Sequence, residues 1–275
     1  MFKLFLRLFN FFFKAFFLCL TNPSKIVFII SQKKRSFLNK LLNDSWSRQE
    51  YILANLPKTN IKFYNSNKNI TEIEHQVGRY LNYKKIINEI IKINIKGDIL
   101  EFGVWQGLSL IIINHIFEVG GGGNDRKFIG VDSFEGLPKT STNWTKGQFN
   151  NTSYNLAYKN IANNFSNKNQ FKLIKGWFNQ KSVHNNIYSY TNKLCLIHFD
   201  ADLGYSTTLA LNIIEPYLKN RSEPIYFLFD DWGCHPEEVP DAFLNWLPKA
   251  SLKYKFKAHK ISSTRFTRNY KITFN

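Results

Sequence analysis

Four aspartates stand in two short groups, and each group directly follows an apolar run of the chain. Asp200 and Asp202 follow the first run, and the adjacent pair Asp230 and Asp231 follows the second. Both runs are too short for helices and are rich in β-forming residues, so they predict buried strands. Ligands of open α/β sheets bind beyond the carboxyl ends of the strands, where these acids are expected to meet. Carboxylate oxygens are ligands that Mg²⁺ prefers, and the pattern therefore predicts a metal site.

A second set of residues indicates a nucleotide-like ligand. Gly103 and Gly107 follow an apolar run at 98–102, and glycines at such a strand-to-helix turn let the backbone approach a ligand closely. Their spacing differs from the G-x-G-x-x-G dinucleotide fingerprint, which argues against a bound pyrophosphate. Glu101 can accept hydrogen bonds from an ammonium group, and Asp132 can accept them from a ribose. S-adenosylmethionine carries both groups, although Asp132 could instead be an ordinary turn or helix-cap acid.

The elements that must position these residues alternate along the chain. Strand-like runs occur at 98–102, 127–131, 171–174, 194–199 and 225–229, separated by segments long enough for crossover helices. Two runs near the end, at 254–261 and 264–274, predict an antiparallel hairpin. A helical pattern extends from Thr71 to near Gly97. The sequence therefore predicts an α/β fold, a Rossmann-like, doubly wound, mostly parallel seven-stranded sheet with an antiparallel C-terminal hairpin and an N-terminal helical extension.

Five motifs, taken in order, resemble the macrocin-type sugar O-methyltransferases, which include the tylosin, mycinamicin and novobiocin enzymes and have the class I S-adenosylmethionine-dependent fold. The motifs are Gly97-Asp98-Ile99-Leu100-Glu101-Phe102-Gly103-Val104-Trp105, Val131-Asp132-Ser133-Phe134-Glu135-Gly136-Leu137-Pro138, Gly176-Trp177-Phe178, Asp200-Ala201-Asp202-Leu203 and Phe229-Asp230-Asp231-Trp232. Their order and spacing cover roughly residues 75–247, and the set as a whole is specific.

The resemblance implies magnesium-dependent transfer of a methyl group from S-adenosylmethionine to a sugar hydroxyl. It implies that Asp200, Asp230 and Asp231 hold Mg²⁺ and that Asp202 is the general base. A mobile lid over the substrate is implied for residues 134 to about 165. The expected cofactor-binding residues are Glu101, Gly103, Trp105, Gly107, Asp132, Ser133, Gly176 and Trp177, with the last two beside the adenine.

One difference from related catechol-type methyltransferases favours a sugar acceptor. Those enzymes place a lysine shortly after the first aspartate, whereas this chain has Leu203 there, which supports Asp202 as the base. The chain also departs from the family that it resembles, because Gly204 shifts Tyr205 by one position and leaves its substrate contact open. His198, inside an apolar run, is expected to be a hydrogen-bonded core histidine. His235, in a loop, is a candidate for substrate contact.

The expected function is O-methylation of a sugar hydroxyl on a surface glycan, its lipid-linked precursor or a glycosylated metabolite. Two alternatives remain open at this point. One is a membrane-tethered binding protein that keeps the fold without the chemistry, and the other is a methyltransferase for a small phenol or catechol. The sequence does not reveal the acceptor sugar, and a homo-oligomer is an open expectation.

Residues 1–70 are expected to form a basic and apolar helical extension, separate from a methyltransferase domain at 71–275. Lys3, Arg7 and Lys14 recur with Asn10 every three or four residues in a Phe- and Leu-rich stretch, which gives a helix one cationic stripe. Residues 1–22 are therefore a candidate anchor to an anionic membrane surface. A helix packed on the domain or on a partner, a secretory signal and a spanning segment are the alternatives.

The charge and cysteine content of the chain indicate which binding partners and which cellular compartment to expect. The formal net charge of the 275 residues is +17, but the basic residues are scattered, so no nucleic-acid partner is expected. Residues 1–50 hold nine Lys or Arg against Asp44 and Glu50, which again indicates an anionic membrane. The three cysteines are far apart and form no CxxC motif, which predicts a reducing compartment. We therefore expect a cytoplasmic protein, peripheral at the inner membrane face if the anchor binds there.

Overall fold

The computed structural model describes residues 70–123, 125–233, 238–264 and 266–275. The predicted N-terminal extension, with its candidate anchor at residues 1–22, lies outside the described residues, and so does His235. The described residues from 73 onward belong to one compact unit. Within the described ranges, no helix has the length and apolar character needed to cross a membrane. The division into an extension and a methyltransferase domain stays a prediction.

Helices and strands alternate through most of the described chain. In order they are α1 (Ile70–Lys92), β1 (Asp98–Phe102), α2 (Leu108–Val119), β2 (Phe128–Asp132), α3 (Tyr154–Asn164), β3 (Phe171–Lys175), α4 (Lys181–Tyr190), β4 (Leu194–Phe199), α5 (Gly204–Ile214), β5 (Ile225–Phe229), α6 (Glu238–Tyr254), β6 (Phe256–Ser263) and β7 (Arg268–Phe274). Short 3-10 turns at Lys168–Gln170 and Glu215–Leu218 precede β3 and follow α5.

The strands form one sheet in the order β3-β2-β1-β4-β5-β7-β6. The first five strands are parallel, β7 is antiparallel to β5, and β6 is antiparallel to β7. The chain moves outward from β1 to β3 and then returns to add β4 on the other side of β1. A crevice opens at such a switch point, beyond the carboxyl ends of β1 and β4. The predicted α/β class, with its mostly parallel sheet and C-terminal hairpin, is confirmed.

The predicted bounds of the hairpin are wrong at both strand starts. Tyr254 is the last residue of α6, and β6 begins at Phe256. The second strand begins at Arg268 because the residues before it form a turn. The Thr264 backbone N–H donates to the Thr267 carbonyl at 3.1 Å, and the Thr267 N–H donates to the Thr264 hydroxyl, also at 3.1 Å. Threonine side chains favour such local hydrogen bonds, which compete with a strand ladder.

Strands β4 and β5 form the centre of the core, and every residue of both is buried. Strands covered on both faces are expected to be continuously apolar, as these are. Phe199 and Phe229 stack with their ring centroids 4.6 Å apart, and Phe227 packs edge-on against Phe199 at 5.5 Å. The two aspartate groups therefore follow strands that are held rigidly by aromatic packing.

Helix α1 is fixed to the sheet by apolar and polar contacts. Ile86, Ile87 and Ile90 on this helix are fully buried. Glu89 accepts a hydrogen bond from the Tyr226 hydroxyl at 2.8 Å and pairs with the Lys271 ammonium at 2.7 Å. These partners lie on β5 and β7, so the helix is docked on the half of the sheet that carries the aspartates.

We predict that Phe227→Ala lowers the free energy of unfolding by about 3–5 kcal/mol, the loss typical when a buried phenylalanine is truncated in a core. Leu252→Ala is the control, because Leu252 is 83% exposed on α6 and its loss is expected to change stability by less than about 0.5 kcal/mol. Urea unfolding followed by circular dichroism measures both. Equal losses in the two variants would contradict this description of the core.

Candidate active site

The two aspartate groups meet at the carboxyl ends of β4 and β5, as predicted. Asp200, Asp230 and Asp231 each offer a carboxylate oxygen, and these atoms lie within 4.8 Å of one another. The parallel ladder continues into the acids, because the Asp200 N–H donates to the Phe102 carbonyl and the Asp230 N–H donates to the Phe199 carbonyl, both at 2.9 Å. The backbone thus holds the carboxylates together.

Arg79 on α1 bridges two of these acids. Its guanidinium lies 2.8 Å from Asp200 Oδ2 and 2.9 Å from Asp230 Oδ2. His75 on the same helix contacts the other Asp230 oxygen through Nε2 at 2.6 Å. Two basic side chains from a helix that precedes the core therefore balance part of the acidic charge.

Sequence reasoning missed these basic residues, although a signal was present. His75, Arg79 and Tyr83 are spaced four apart, which places them on one face of a helix. A row of polar side chains on a helix that is otherwise rich in isoleucine indicates a buried polar partner. The partner could not be identified from spacing, because Arg79 and Asp200 are 121 residues apart in the chain.

The pKa values of the acids differ according to their neighbours. Burial raises the pKa of Asp200, an effect that Arg79 opposes and Asp230 reinforces. Burial and the neighbouring carboxylates raise the pKa of Asp231 well above its ordinary value. Burial acts on Asp230 in the same direction, but Arg79 and His75 outweigh it, so its pKa is lowered. Asp230 is therefore held ionised, while the others repel one another.

This donor set fits a hard divalent cation. An ionised carboxylate has about four lone-pair sites, so Arg79 and His75 leave acceptor capacity on Asp200 and Asp230. Burial is the main cause of the raised pKa values of Asp200 and Asp231, and repulsion from neighbouring carboxylates adds to it. A cation with a preference for oxygen ligands would relieve this repulsion.

Asp202 interacts electrostatically with two of the predicted metal ligands and with Asp132, a predicted cofactor-binding acid. Burial raises its pKa well above the ordinary value, with further contributions from Asp200, Asp230 and Asp132. Its backbone has a positive φ of 55°, and Asp231 has a φ of 54°. Such conformations are uncommon for residues other than glycine and cluster where a site constrains the backbone.

Glu101 is fully buried in β1, with one carboxylate oxygen paired. Oε1 lies 2.8 Å from His198 Nδ1, while Oε2 has no hydrogen-bond partner among the described residues. His198 Nε2 lies 2.8 Å from the Tyr83 hydroxyl, so His198 is the hydrogen-bonded core histidine that was predicted. A buried carboxylate oxygen without a partner is costly, and an ammonium group of a ligand would satisfy it.

The turn after β1 brings two strand ends unusually close together. Gly103 has a φ of +87°, and a Cβ at this position would lie 1.7 Å from the Asp200 carbonyl oxygen. Gly107, with a φ of +91°, precedes α2, and a Cβ there would lie 2.6 Å from Ile161. A side chain at either position would clash with its neighbours. Glycine at position 103 therefore allows the backbone of Asp200 to approach the turn.

Asp132 holds the same turn through its carboxylate. Oδ2 accepts from the backbone N–H groups of Val104 and Trp105, each at 2.8 Å, and Oδ1 accepts from the Phe134 N–H at 2.7 Å. Burial raises its pKa, although these three hydrogen bonds act in the opposite direction. The ordinary turn role considered for Asp132 is thus present, and its remaining lone pairs leave the predicted ribose contact open.

The other predicted cofactor residues lie around this turn. Ser133 Oγ accepts from the Glu135 N–H at 3.1 Å, which shapes the chain after β2. The Gly176 N–H donates to the Asp132 carbonyl at 2.9 Å, and the Trp177 N–H donates to the Gln180 side chain at 3.1 Å. Gly176 and Trp177 therefore follow β3 at the same end of the sheet as Asp132.

The segment 133–153 between β2 and α3 contacts the glycine turn. Trp105 Nε1 donates to Asn151 Oδ1 at 3.0 Å, and the Thr152 hydroxyl donates to the Trp105 carbonyl at 2.6 Å. Lys139 lies 4.7 Å above the ring of Tyr205, which is 43% exposed in the first turn of α5. The shifted Tyr205 is thus directed toward this segment, which makes up most of the first part of the lid predicted for residues 134 to about 165.

The amino-acid sequence is similar to those of two known O-methyltransferases. It is 26% identical over 162 residues to the 8-demethyl-8-(2,3-dimethoxy-alpha-L-rhamnosyl)-tetracenomycin-C 4'-O-methyltransferase of Streptomyces olivaceus, covering 55% of this chain and 59% of the relative. It is 25% identical over 170 residues to the demethyldecarbamoylnovobiocin O-methyltransferase of Streptomyces niveus, covering 58% and 62%. The chain thus spans about three fifths of the length of the curated relatives it matches.

The fold is similar to that of a solved structure, the O-methyltransferase NovP. The TM-score is 0.61 at 18% identity, covering 88% of this chain and all of that one. A model of the macrocin-O-methyltransferase (TylF) family matches residues 34–249. This range includes both aspartate groups, the glycine turn and the helix that carries Arg79. The chain belongs to the macrocin-O-methyltransferase (TylF) family.

Proposed function

We propose that this chain is a magnesium-dependent O-methyltransferase that transfers the methyl group of S-adenosylmethionine to a sugar hydroxyl. The observation that carries the proposal is the cluster of Asp200, Asp230 and Asp231 within 4.8 Å, at the switch point next to the glycine turn. Family membership supports the reaction class. The printed name of the Streptomyces olivaceus relative, which refers to a rhamnosyl group, supports a glycosylated acceptor.

Asp200, Asp230 and Asp231 would hold Mg²⁺, with Arg79 and His75 fixing two of the three carboxylates. A bound divalent cation supplies Lewis acidity and lowers the pKa of a coordinated hydroxyl. The protein contributes preorganisation, because the acids are held by strand backbone and by a helix rather than by a flexible loop.

Asp202 is the residue that would accept the proton of the reacting hydroxyl. It lies beside the metal-binding acids, and its raised pKa makes its carboxylate a stronger proton acceptor than an ordinary aspartate. A base whose pKa is close to the working pH is the more effective catalyst. The positive φ of Asp202 is an uncommon backbone conformation, and it sets the direction in which the side chain leaves the backbone.

Glu101 and Asp132 would orient the methyl donor. The unpaired Glu101 Oε2 is available to an ammonium group, and the turn held by Asp132 lets the backbone approach the ligand. A sulfonium is already a good leaving group, so most of the remaining acceleration would come from alignment of the donor and acceptor. Segment 133–153, docked on Trp105, would exclude water from the reacting groups.

A catechol acceptor is less consistent with the site than a sugar. The position at which catechol-type enzymes place a lysine is filled by Leu203, which is fully buried. A hydrocarbon side chain there cannot take part in proton transfer, so Asp202 is left as the base. A surface glycan or its lipid-linked precursor is the acceptor class we propose alongside glycosylated metabolites.

We predict that Asp231→Asn weakens Mg²⁺ binding by about a hundredfold or more, because removing even an outer partner of a metal site costs about 10- to 100-fold. The same variant should be at least as stable as the parent in metal-free buffer at neutral pH. The pKa of Asp231 is raised in the folded state. Above that pKa the carboxylate is ionised and destabilises the folded state, and asparagine removes this charge. Mg²⁺ should raise the Tm of the parent protein but not that of the variant.

Calorimetry with Mg²⁺ and thermal melts in EDTA and in Mg²⁺ provide the two readouts. Asp241→Asn is the matched control, since Asp241 is exposed in the first turn of α6, and both properties should stay at parental values. Unchanged Mg²⁺ affinity in Asp231→Asn would remove the metal from the proposal.

We predict that Asp202→Asn lowers kcat by about 10²- to 10⁴-fold, the usual contribution of a general base, while the affinity for S-adenosylmethionine stays near the parental value. The assay is transfer of labelled methyl groups to a panel of glycosylated aromatic compounds, nucleotide sugars and catechol. Transfer should be to sugar hydroxyls, with little product from catechol.

The acceptor panel, together with calorimetry, distinguishes the proposed enzyme from a binding protein that has the same fold. Failure of S-adenosylmethionine to bind in calorimetry, with or without Mg²⁺, would contradict the enzyme. Catechol as the preferred acceptor would contradict the assignment of Leu203 and Asp202. Full activity in Asp202→Asn would show that another group takes the proton.

We further propose that residues 1–22 bind an anionic membrane surface and bring the enzyme to a lipid-linked or surface glycan. This proposal rests on the cationic stripe in the sequence. The full chain should float with vesicles that contain phosphatidylglycerol and not with neutral vesicles, and binding should weaken at high salt. Equal binding by a chain that lacks residues 1–22 would contradict it.

A further inference from the structure

Buried hydrogen bonds form a continuous chain between the two ligand sites. Arg79, which contacts Asp200 and Asp230, also donates from Nε to the Tyr83 hydroxyl at 3.1 Å. The Tyr83 hydroxyl lies 2.8 Å from His198 Nε2, and His198 Nδ1 lies 2.8 Å from Glu101 Oε1. Arg79, Tyr83, His198 and Glu101 are all buried.

One assignment of protons is consistent with every hydrogen bond in this chain. The Arg79 N–H can only donate, so the Tyr83 oxygen accepts from it and the Tyr83 O–H is free to donate to His198 Nε2. With Nε2 as the acceptor, the His198 proton lies on Nδ1, which donates to Glu101 Oε1. The three hydrogen bonds that link Arg79, Tyr83, His198 and Glu101 therefore all point toward the glutamate, an arrangement in which each bond polarises the next.

We propose that Tyr83 and His198 are positioning residues that couple the two sites, so that S-adenosylmethionine and Mg²⁺ bind with positive cooperativity. The inference rests on the proposed function, since it assigns the ammonium of the cofactor to Glu101 and the cation to the aspartates. Neither positioning residue touches either ligand in this scheme. They act by fixing the side chains that do.

The physical basis is that both ligands order the same set of side chains. A cation on Asp200 and Asp230 would fix the two carboxylates that Arg79 contacts, and Arg79 is linked by hydrogen bonds through Tyr83 and His198 to Glu101. The free carboxylate oxygen of Glu101 is then already aligned when the cofactor arrives. The second ligand meets a smaller entropic cost, which is the general condition for positive coupling. Thermodynamic linkage requires that each ligand change the affinity for the other by the same factor.

The test measures the cofactor affinity by calorimetry with EDTA and with saturating Mg²⁺, and then the Mg²⁺ affinity with and without cofactor. In the parental chain we expect each ligand to tighten the other by about fivefold or more, which is the lower end of ordinary coupling between sites. In Tyr83→Phe, which removes one hydroxyl and breaks the chain in the middle, the factor should fall to about one.

Tyr226→Phe is the matched control. Tyr226 is fully buried, and its hydroxyl also bonds to α1, at Glu89 Oε1, but it lies outside the chain between the two sites. This variant should keep the parental coupling factor. His198→Leu breaks the chain next to Glu101 and should lose the coupling in the same way, so it decides the question if Tyr83→Phe does not fold.

The inference is overturned if, in the parental chain, neither ligand tightens the binding of the other. It is also overturned if a folded Tyr83→Phe or His198→Leu variant keeps the coupling factor of the parental chain. Loss of coupling in Tyr226→Phe as well would show a general effect of removing helix contacts, and would also overturn it. Absence of cofactor binding under every condition is a different result, because it refutes the proposed enzyme itself. Methyl transfer with uncoupled binding refutes only the inference.

Discussion

The candidate site at the carboxyl ends of β4 and β5 is built from several like charges that are packed together where water has little access. Asp200, Asp202 and Asp231 all have raised pKa values, caused first by burial and then by one another. Such a cluster is unfavourable unless something positive lies within it. Among the described residues, Arg79 is the cation that contacts two of the acids directly. The docking of α1 is therefore a requirement of the site as well as of the fold.

Much of the scaffold could be predicted because apolar patterns determine it locally. The strands at 98–102, 194–199 and 225–229 begin and end where their apolar runs do. The convergence of the aspartates followed from topology, since parallel strands direct their carboxyl ends to one edge of the sheet. The boundaries were wrong at Tyr254, which ends a helix, and before Arg268, where a side-chain hydrogen bond of Thr264 rather than apolar spacing sets the boundary.

The polar partners of the site could not be predicted in the same way. His75 and Asp230 are 155 residues apart, and Tyr83 and His198 are 115 apart. Spacing on a helix shows that His75, Arg79 and Tyr83 share a face, but nothing local shows what that face meets. Such contacts depend on how the helix docks, so they become visible only in three dimensions. The same is true of the close approach at Gly103, where sterics rather than charge restrict the residue type.

The insertion of β7 between β5 and β6 has a consequence for the timing of assembly. The Trp232 N–H, directly after the paired aspartates, donates to the Phe266 carbonyl at 2.8 Å, and β7 covers the side of β5 that faces away from β4. During synthesis, β5 leaves the ribosome before the strand that will flank it. Until β7 pairs with it, β5 has an exposed edge that could pair with another chain. The hydrogen bond that supports the backbone after Asp230 and Asp231 therefore forms only when this later segment folds onto the sheet.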